Sequence, residues 1–274
     1  MSEDRTGPVV AGPENAPGAL LDLLDLEEVE VGLYRGCFVF DEPWALYGGQ
    51  VAAQCLRAAA LTVGPDRQPH SLHGYFLRPG DASIPTVFSV ERDRDGRSYA
   101  ARRVVAIQRG EVIFNMSASF KVAEDGLDAQ VPVIPATTSP EQSSPFTIPR
   151  LFSFEGRLVE QPRPNLTWPD RFWARCTSDL GEDPLLHACA LTYLSDISTG
   201  LGAFQTDGYV SRSSIDHSVW FHRAGRLDEW VLCDLTPVSV AGGRGLYSES
   251  IFDGAGRLLA TVAQEALFRR PREG

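Results

Sequence analysis

Apolar and polar residues alternate with a period of two along 70–77, 84–94, 97–108 and 111–122, and the rhythm returns at about 214–222, 229–240, 244–252 and 257–268. Alternation in stretches rich in β-branched and aromatic residues predicts strands. Dipeptides such as Asp95-Gly96 and Arg109-Gly110 predict the turns between them. Ahead of each set of strands the spacing lengthens. Between Gln50 and Val63 the residues Val51, Ala52, Cys55, Leu56, Ala59, Ala60 and Val63 share one helical face, and Pro184 to Phe204 reads as a second long helix. Leu20 to Leu26 predicts a short helix, Val29 to Gly36 a strand, and Phe172 to Cys176 an edge strand. Each half is therefore one long helix followed by an antiparallel meander. A sheet with one apolar face buries that face by wrapping the helix, which makes the expected class α+β in two copies.

The duplication is visible residue by residue. Tyr75-Phe76-Leu77-Arg78-Pro79-Gly80 and Trp220-Phe221-His222-Arg223-Ala224-Gly225 repeat an aromatic pair, an arginine and a glycine at an offset of 145. At that offset Ser214 stands where the first copy has Pro69. Aligning Gly110 with Gly256 sets Gln264 against Ala118. A hydroxyl and an amide have thus been placed in one half only. The expected organisation is a tail over 1–18, a first module over 19–123, a proline-rich linker over 124–150 and a second module over 151–274.

Composition narrows the function classes. With 274 residues and 43% hydrophobic content, each module can build a core. A formal net charge of -11 argues against wrapping nucleic acid, which needs a dense basic stripe. Lys121 is the only lysine, so Schiff-base chemistry is open to one position. The five cysteines are odd in number and show no C-x-x-C spacing, which argues for reduced thiols rather than disulfides or a zinc knuckle. No apolar run approaches the roughly 20 residues of a membrane span, and residues 1–18 lack the order of a signal peptide. The expectation is a cytoplasmic protein. Exposed sheet edges favour pairing, so a homo-oligomer is expected as well.

Several stretches carry a resemblance. Leu46-Tyr47-Gly48-Gly49-Gln50, His70 to Asp81, Asp95 to Val104, Tyr193-Leu194-Ser195-Asp196, Ile215 to Arg223 and Val262-Ala263-Gln264-Glu265 together resemble the acyl-CoA thioesterase II family, in family order and over nearly the whole chain. The resemblance implies the double-hotdog fold, an acyl-CoA substrate, no metal and no cofactor. It also implies direct hydrolysis, with an aspartate, a serine or threonine, and a glutamine holding the attacking water: Asp196, Ser214 and Gln264 here. The chain departs from the family in carrying serine where threonine is more usual, and in a shortened segment from Leu201 to Ser213 that affects pocket shape.

The residues themselves are compatible with that chemistry. There is no Gly-x-Ser-x-Gly elbow and no cysteine with a matching histidine, so water is the remaining nucleophile. A carboxylate can take its proton while a hydroxyl and an amide fix its position. Backbone N–H groups at or near a helix N-terminus are the natural holders of the oxyanion. Each residue also has a structural reading: Asp196 as a helix cap, Ser214 as a strand-start serine, and Gln264 as an inward amide that needs a partner. Asp216 is the second choice as base. Gly48, Gly49 and Gln50 are candidate substrate contacts, because paired glycines let backbone approach a ligand. Arg78, Arg97, Arg102, Arg103 and Arg223 are candidates for the phosphates of coenzyme A, or else a solvated face. His70, His73, His187, His217 and His222 show no metal-ligand spacing and read as satisfied core or interface groups. Two alternatives stay open. A hotdog enoyl-CoA hydratase would need an Asp-x(4)-His run that the predicted helices lack, and an acyl-CoA-binding module would have lost turnover.

Overall fold

A computed structural model describes residues 19–148, 150–163, 168–197, 200–205 and 208–270; the tail expected over 1–18 lies outside them. The helices are α1 (Ala19–Leu24), α2 (Gly48–Ala60) and α3 (Pro184–Ser195). The first half contributes strands β1 (Leu26–Glu30), β2 (Leu33–Gly36), β3 (Arg67–Phe76), β4 (Thr86–Asp95), β5 (Tyr99–Gln108) and β6 (Glu111–Val122). The second contributes β7 (Ser144–Phe146), β8 (Phe154–Leu158), β9 (Arg171–Cys176), β10 (Val210–Ser214), β11 (Asp216–Phe221), β12 (Val231–Ala241), β13 (Arg244–Asp253) and β14 (Leu258–Arg269).

All of them join one antiparallel sheet, in the order β1-β2-β4-β5-β6-β3-β11-β14-β13-β12-β9-β8-β7, with β10 paired onto β14. The order reads nearly the same from either end because the halves meet at β3 and β11. There Leu72 pairs with Val219, His73 with Ser218 and Gly74 with His217. His73 and Ser218 are also counterparts under the 145-residue offset, so the local two-fold of this antiparallel pair falls on them. Helices α2 and α3 pack against each other, and α2 also lies on β3, β4, β5 and β6. Most buried apolar residues of both halves, from Ala19 to Phe268, form one continuous cluster, and Val159, Trp173, Leu232, Phe252 and Leu258 form a second, smaller one.

The helices show why each half needs a sheet. In α2 every residue from Gly49 to Ala60 is buried except Arg57, and α3 is buried from Cys189 to Ser195. Such short segments are marginal alone and gain their stability from tertiary packing. Asp183 starts α3 by accepting a hydrogen bond from the Leu185 N–H at 2.9 Å, with Pro184 in the first turn.

Three expectations are corrected. The second helix ends at Ser195 rather than Phe204; Gly200 and Gly202 disfavour continuation, and Gly202–Phe204 forms a separate 3-10 turn. Val29 to Gly36 is not one strand, because Gly32 at φ +74° turns the chain between β1 and β2. Strand β9 is internal, flanked by β12 and β8. The stretch over 124–150, read as linker from its prolines, holds a 3-10 turn at Pro140–Gln142 and the edge strand β7, which pairs with β8.

Candidate active site

The end of α3, the end of β10 and the middle of β14 meet at one point. Asp196 terminates α3 and is buried. The Ser214 hydroxyl donates to Asp196 Oδ1 at 3.2 Å, and Gln264 Nε2 donates to the same oxygen at 2.8 Å and to Ser214 Oγ at 2.6 Å. The three side chains singled out in the sequence thus form one hydrogen-bonded triangle, although 68 positions separate Asp196 from Gln264. Pairing of Ser214 with Ala266, after a register shift in the β10–β14 pair, brings the hydroxyl alongside the amide.

Asp196 also meets the start of α2. The Gly49 backbone N–H donates to its carboxylate. A Cβ on Gly48 would collide with that carboxylate and with the Phe76 ring, and one on Gly49 would strike the Tyr193 carbonyl and the Tyr47 ring. Glycine is required at both positions because the end of α3 sits directly against the first turn of α2. Tyr47 ties the junction by donating its hydroxyl hydrogen to the Tyr193 carbonyl at 2.9 Å. Burial pushes the Asp196 carboxyl above its ordinary range, and the His217 ring together with the bonds from Gln264, Ser214 and Gly49 pulls it back only in part.

A cavity of about 470 Å³ opens against this point. Asp196, Ser214 and Gly48 line it, together with apolar side chains that include Val51, Phe76, Ile113, Ile197, Ile215 and Leu267. Gln264, wholly buried, is not among the lining residues and reaches Asp196 and Ser214 from behind. Gly49 and Gln50 do not line the cavity either. The Gln50 side chain is buried, and its Oε1 has no hydrogen-bond partner among the described residues. Asp216 is absent from the wall too, since its Oδ1 accepts the Glu265 backbone N–H at 2.8 Å.

Of the five arginines considered, only Arg78 lines the cavity, with its Nε 2.8 Å from Glu111. Arg102 is buried elsewhere, Arg103 pairs with Glu91 and Asp93, Arg223 pairs with Asp128, and Arg97 lies in the β4–β5 turn. Two lining arginines escaped the sequence reading. Arg150 is held by Glu42 at 2.6 Å and lies against the Tyr47 ring, and Arg212 comes from β10. Neither belongs to a recognisable motif. His217, read from sequence as a satisfied core group, is indeed fully buried and bonded, yet its bonds run to Gln264 and Ser195.

Two family models match the chain, an acyl-CoA thioesterase N-terminal domain over residues 40–121 and an acyl-CoA thioesterase C-terminal domain over residues 128–268. An acyl-CoA thioesterase 2 of Haemophilus influenzae is 33% identical over 277 residues, covering 91% of this chain and 96% of its own. The human acyl-coenzyme A thioesterase 8 is 32% identical, covering 90% of this chain and 88% of its own. Among solved structures, an acyl-CoA thioesterase II from Mycobacterium marinum is similar at 41% identity with a TM-score of 0.79, covering 93% of this chain and 99% of that one. A hotdog-fold protein from Alicyclobacillus acidocaldarius, 19% identical with a TM-score of 0.74, shares the fold.

Proposed function

Because the chain belongs to the acyl-CoA thioesterase family, we propose that it hydrolyses acyl-CoA to the free carboxylic acid and coenzyme A, by attack of a water held between Asp196 and Ser214 at the cavity wall. The observation that carries this reading is the convergence of the Ser214 hydroxyl and the Gln264 amide on one oxygen of a buried carboxylate beside a cavity. Asp196 takes a proton from the water as its oxygen bonds to the thioester carbonyl carbon, and the carbonyl π electrons move onto oxygen. That oxyanion faces the first turn of α2 at Gly48, where the helix dipole favours negative charge. On collapse the C–S bond breaks, and the sulfur leaves with the electron pair and collects the proton from Asp196. Burial that raises the Asp196 pKa makes it a stronger base once ionised. Gln264 acts through the other two by holding both in place.

The arrangement further suggests two hotdog modules, over 19–123 and 151–274, with chemistry in the second. Cavity-lining Arg78, Arg150 and Arg212 carry the charge that suits an anionic carrier such as coenzyme A. A reducing compartment such as the cytoplasm suits five cysteines that all stand as free thiols.

The test is thiol release from a panel of acyl-CoAs, followed with a thiol-reactive dye. Hydrolysis yields one thiol per acyl-CoA consumed. A folded protein that binds acyl-CoA and releases no thiol would favour a binding module instead.

A further inference from the structure

The buried face of β11 carries a titratable ring that the hydrolytic step does not use. His217 is fully buried. Its Nδ1 bonds to Gln264 Oε1, and its Nε2 lies 2.9 Å from Ser195 Oγ. Counting donors decides the direction of the bond to Gln264. The Gln264 amide oxygen can only accept, so Nδ1 carries the hydrogen; in a neutral ring Nε2 is then an acceptor, and the Ser195 hydroxyl shares its single hydrogen between Nε2 and the Thr192 carbonyl 3.0 Å away. Burial favours the neutral ring by pushing the His217 pKa down, against the pull of Asp196.

We propose that His217 is a positioning residue: its Nδ1–H holds the Gln264 oxygen and so turns the amide nitrogen toward Asp196 and Ser214, while Ser195 braces the ring at Nε2. The proposal rests on the reading of Asp196, Ser214 and Gln264 given above. A Gln264 amide turned the other way would aim its oxygen at the Asp196 carboxylate and orphan both acceptors. Ser195 immediately precedes Asp196, so the turn that ends α3 delivers the base and also sets the ring that orders the base's neighbour.

The first half supplies an independent observation. Under the 145-residue offset His217 corresponds to Leu72, and Leu72 pairs directly with Ala118, the counterpart of Gln264. Where the amide is missing, the ring is missing too. A histidine kept only to fill a core would have no reason to be absent together with the glutamine.

Long-range 1H–15N spectra of the histidine-labelled wild-type protein should show His217 protonated at Nδ1 and bare at Nε2. In kinetics, His217→Leu should lower kcat about tenfold with KM little changed, yet lower it by less than about twofold in a Gln264→Ala background, because both changes remove one function. His217→Asn, whose amide nitrogen stands where Nδ1 stood, should recover most of the loss. A ring protonated at Nε2 alone overturns the proposal even if His217→Leu fails to fold. A His217→Leu penalty as large in the Gln264→Ala background as in wild type also overturns it, provided Gln264→Ala itself slows turnover. If Gln264→Ala hydrolyses at the wild-type rate, the triangle reading fails, and the positioning role goes with it.

Discussion

The three neighbouring positions Leu72, Ala118 and Arg102 on β3, β6 and β5 correspond to His217, Gln264 and Tyr247 on β11, β14 and β13. The two sets share backbone pairing and burial but solve opposite electrostatic problems. In the first half Arg102, 1% exposed, runs back to the end of α2: its Nε donates to Thr62 Oγ1 at 2.7 Å and its Nη2 to the Thr62 carbonyl at 3.0 Å. A cation at a helix C-terminus is favoured by the dipole. In the second half the end of α3 carries a carboxyl, Asp196, which is held by Gln264, Ser214 and the start of α2. One helix end is closed by a cation and the other is loaded with a carboxylate beside a cavity. The same backbone frame thus carries a cation at one helix end and a carboxyl beside a cavity at the other, and a few side chains make the difference.

This contrast can be broken most severely at Asp196. Asp196→Asn should cut kcat by at least about a hundredfold, the scale of a positioned base. It should not lower the melting temperature near neutral pH. The folded protein raises this carboxyl's pKa, so its ionisation costs stability as pH rises through the folded value, and the amide escapes that cost. For the same reason kcat of the wild type should fall as pH drops through the folded pKa. A folded Asp196→Asn protein with wild-type turnover would move the base elsewhere.

Next in size, Ser214→Ala and Gln264→Ala should each lower kcat by roughly tenfold, and together by less than the product of the two, since each disturbs the same carboxylate and water. Full additivity would mean that the two residues act independently.

Arg102→Met should do the reverse. Losing the buried guanidinium takes its donor from the Thr62 carbonyl and its ion pair from Asp95, although the Thr62 hydroxyl keeps its bond to the Ala59 carbonyl; the cost should be about 2 kcal/mol or more, while turnover per folded molecule stays at the wild-type level. Denaturant melts beside thiol-release rates separate the two quantities, and a large fall in kcat at full folding would tie the first helix end to the chemistry.

The smallest effect on turnover is expected at Glu249, buried on β13, where desolvation pushes the carboxyl up to about 8. The folded chain keeps a proton there that the unfolded chain releases above about 4.5. The associated stability is therefore complete below that pH and is lost as pH climbs toward 8. Glu249→Gln should flatten this decline, so its melting temperature should change less between pH 6 and pH 9 than that of the wild type. An unchanged slope would place the alkaline sensitivity elsewhere.

Much of this contrast was legible in the chain. Alternation located strands β3 to β6 and β11 to β14 within a few residues because each buries one face. The repeat exposed Ser214 against Pro69 and Gln264 against Ala118. The same alignment sets His217 against Leu72, a gain of polarity at a core position, but within Ile-Asp-His-Ser the ring looks like an ordinary strand residue until Gln264 is seen beside it. The end of α3 was harder to read, because Asp196 stops the helix through contacts with β10, β14 and α2 that are remote in sequence. Composition also hid β7, whose proline sits on an edge strand where a missing N–H is tolerated. Arg150 and Arg212 reach the cavity through loop and strand-end geometry that no local pattern encodes.

The central claim is that water, and not a side chain, attacks the thioester beside Asp196 and Ser214. Rapid-quench intact-mass spectra of the wild-type protein, taken during turnover of a slowly hydrolysed acyl-CoA, test it most directly. Direct attack leaves nothing attached, so the chain should keep its unmodified mass at every time point while free thiol accumulates. An acyl adduct that forms and decays at the rate of turnover, on Ser214 or on Asp196, would contradict it.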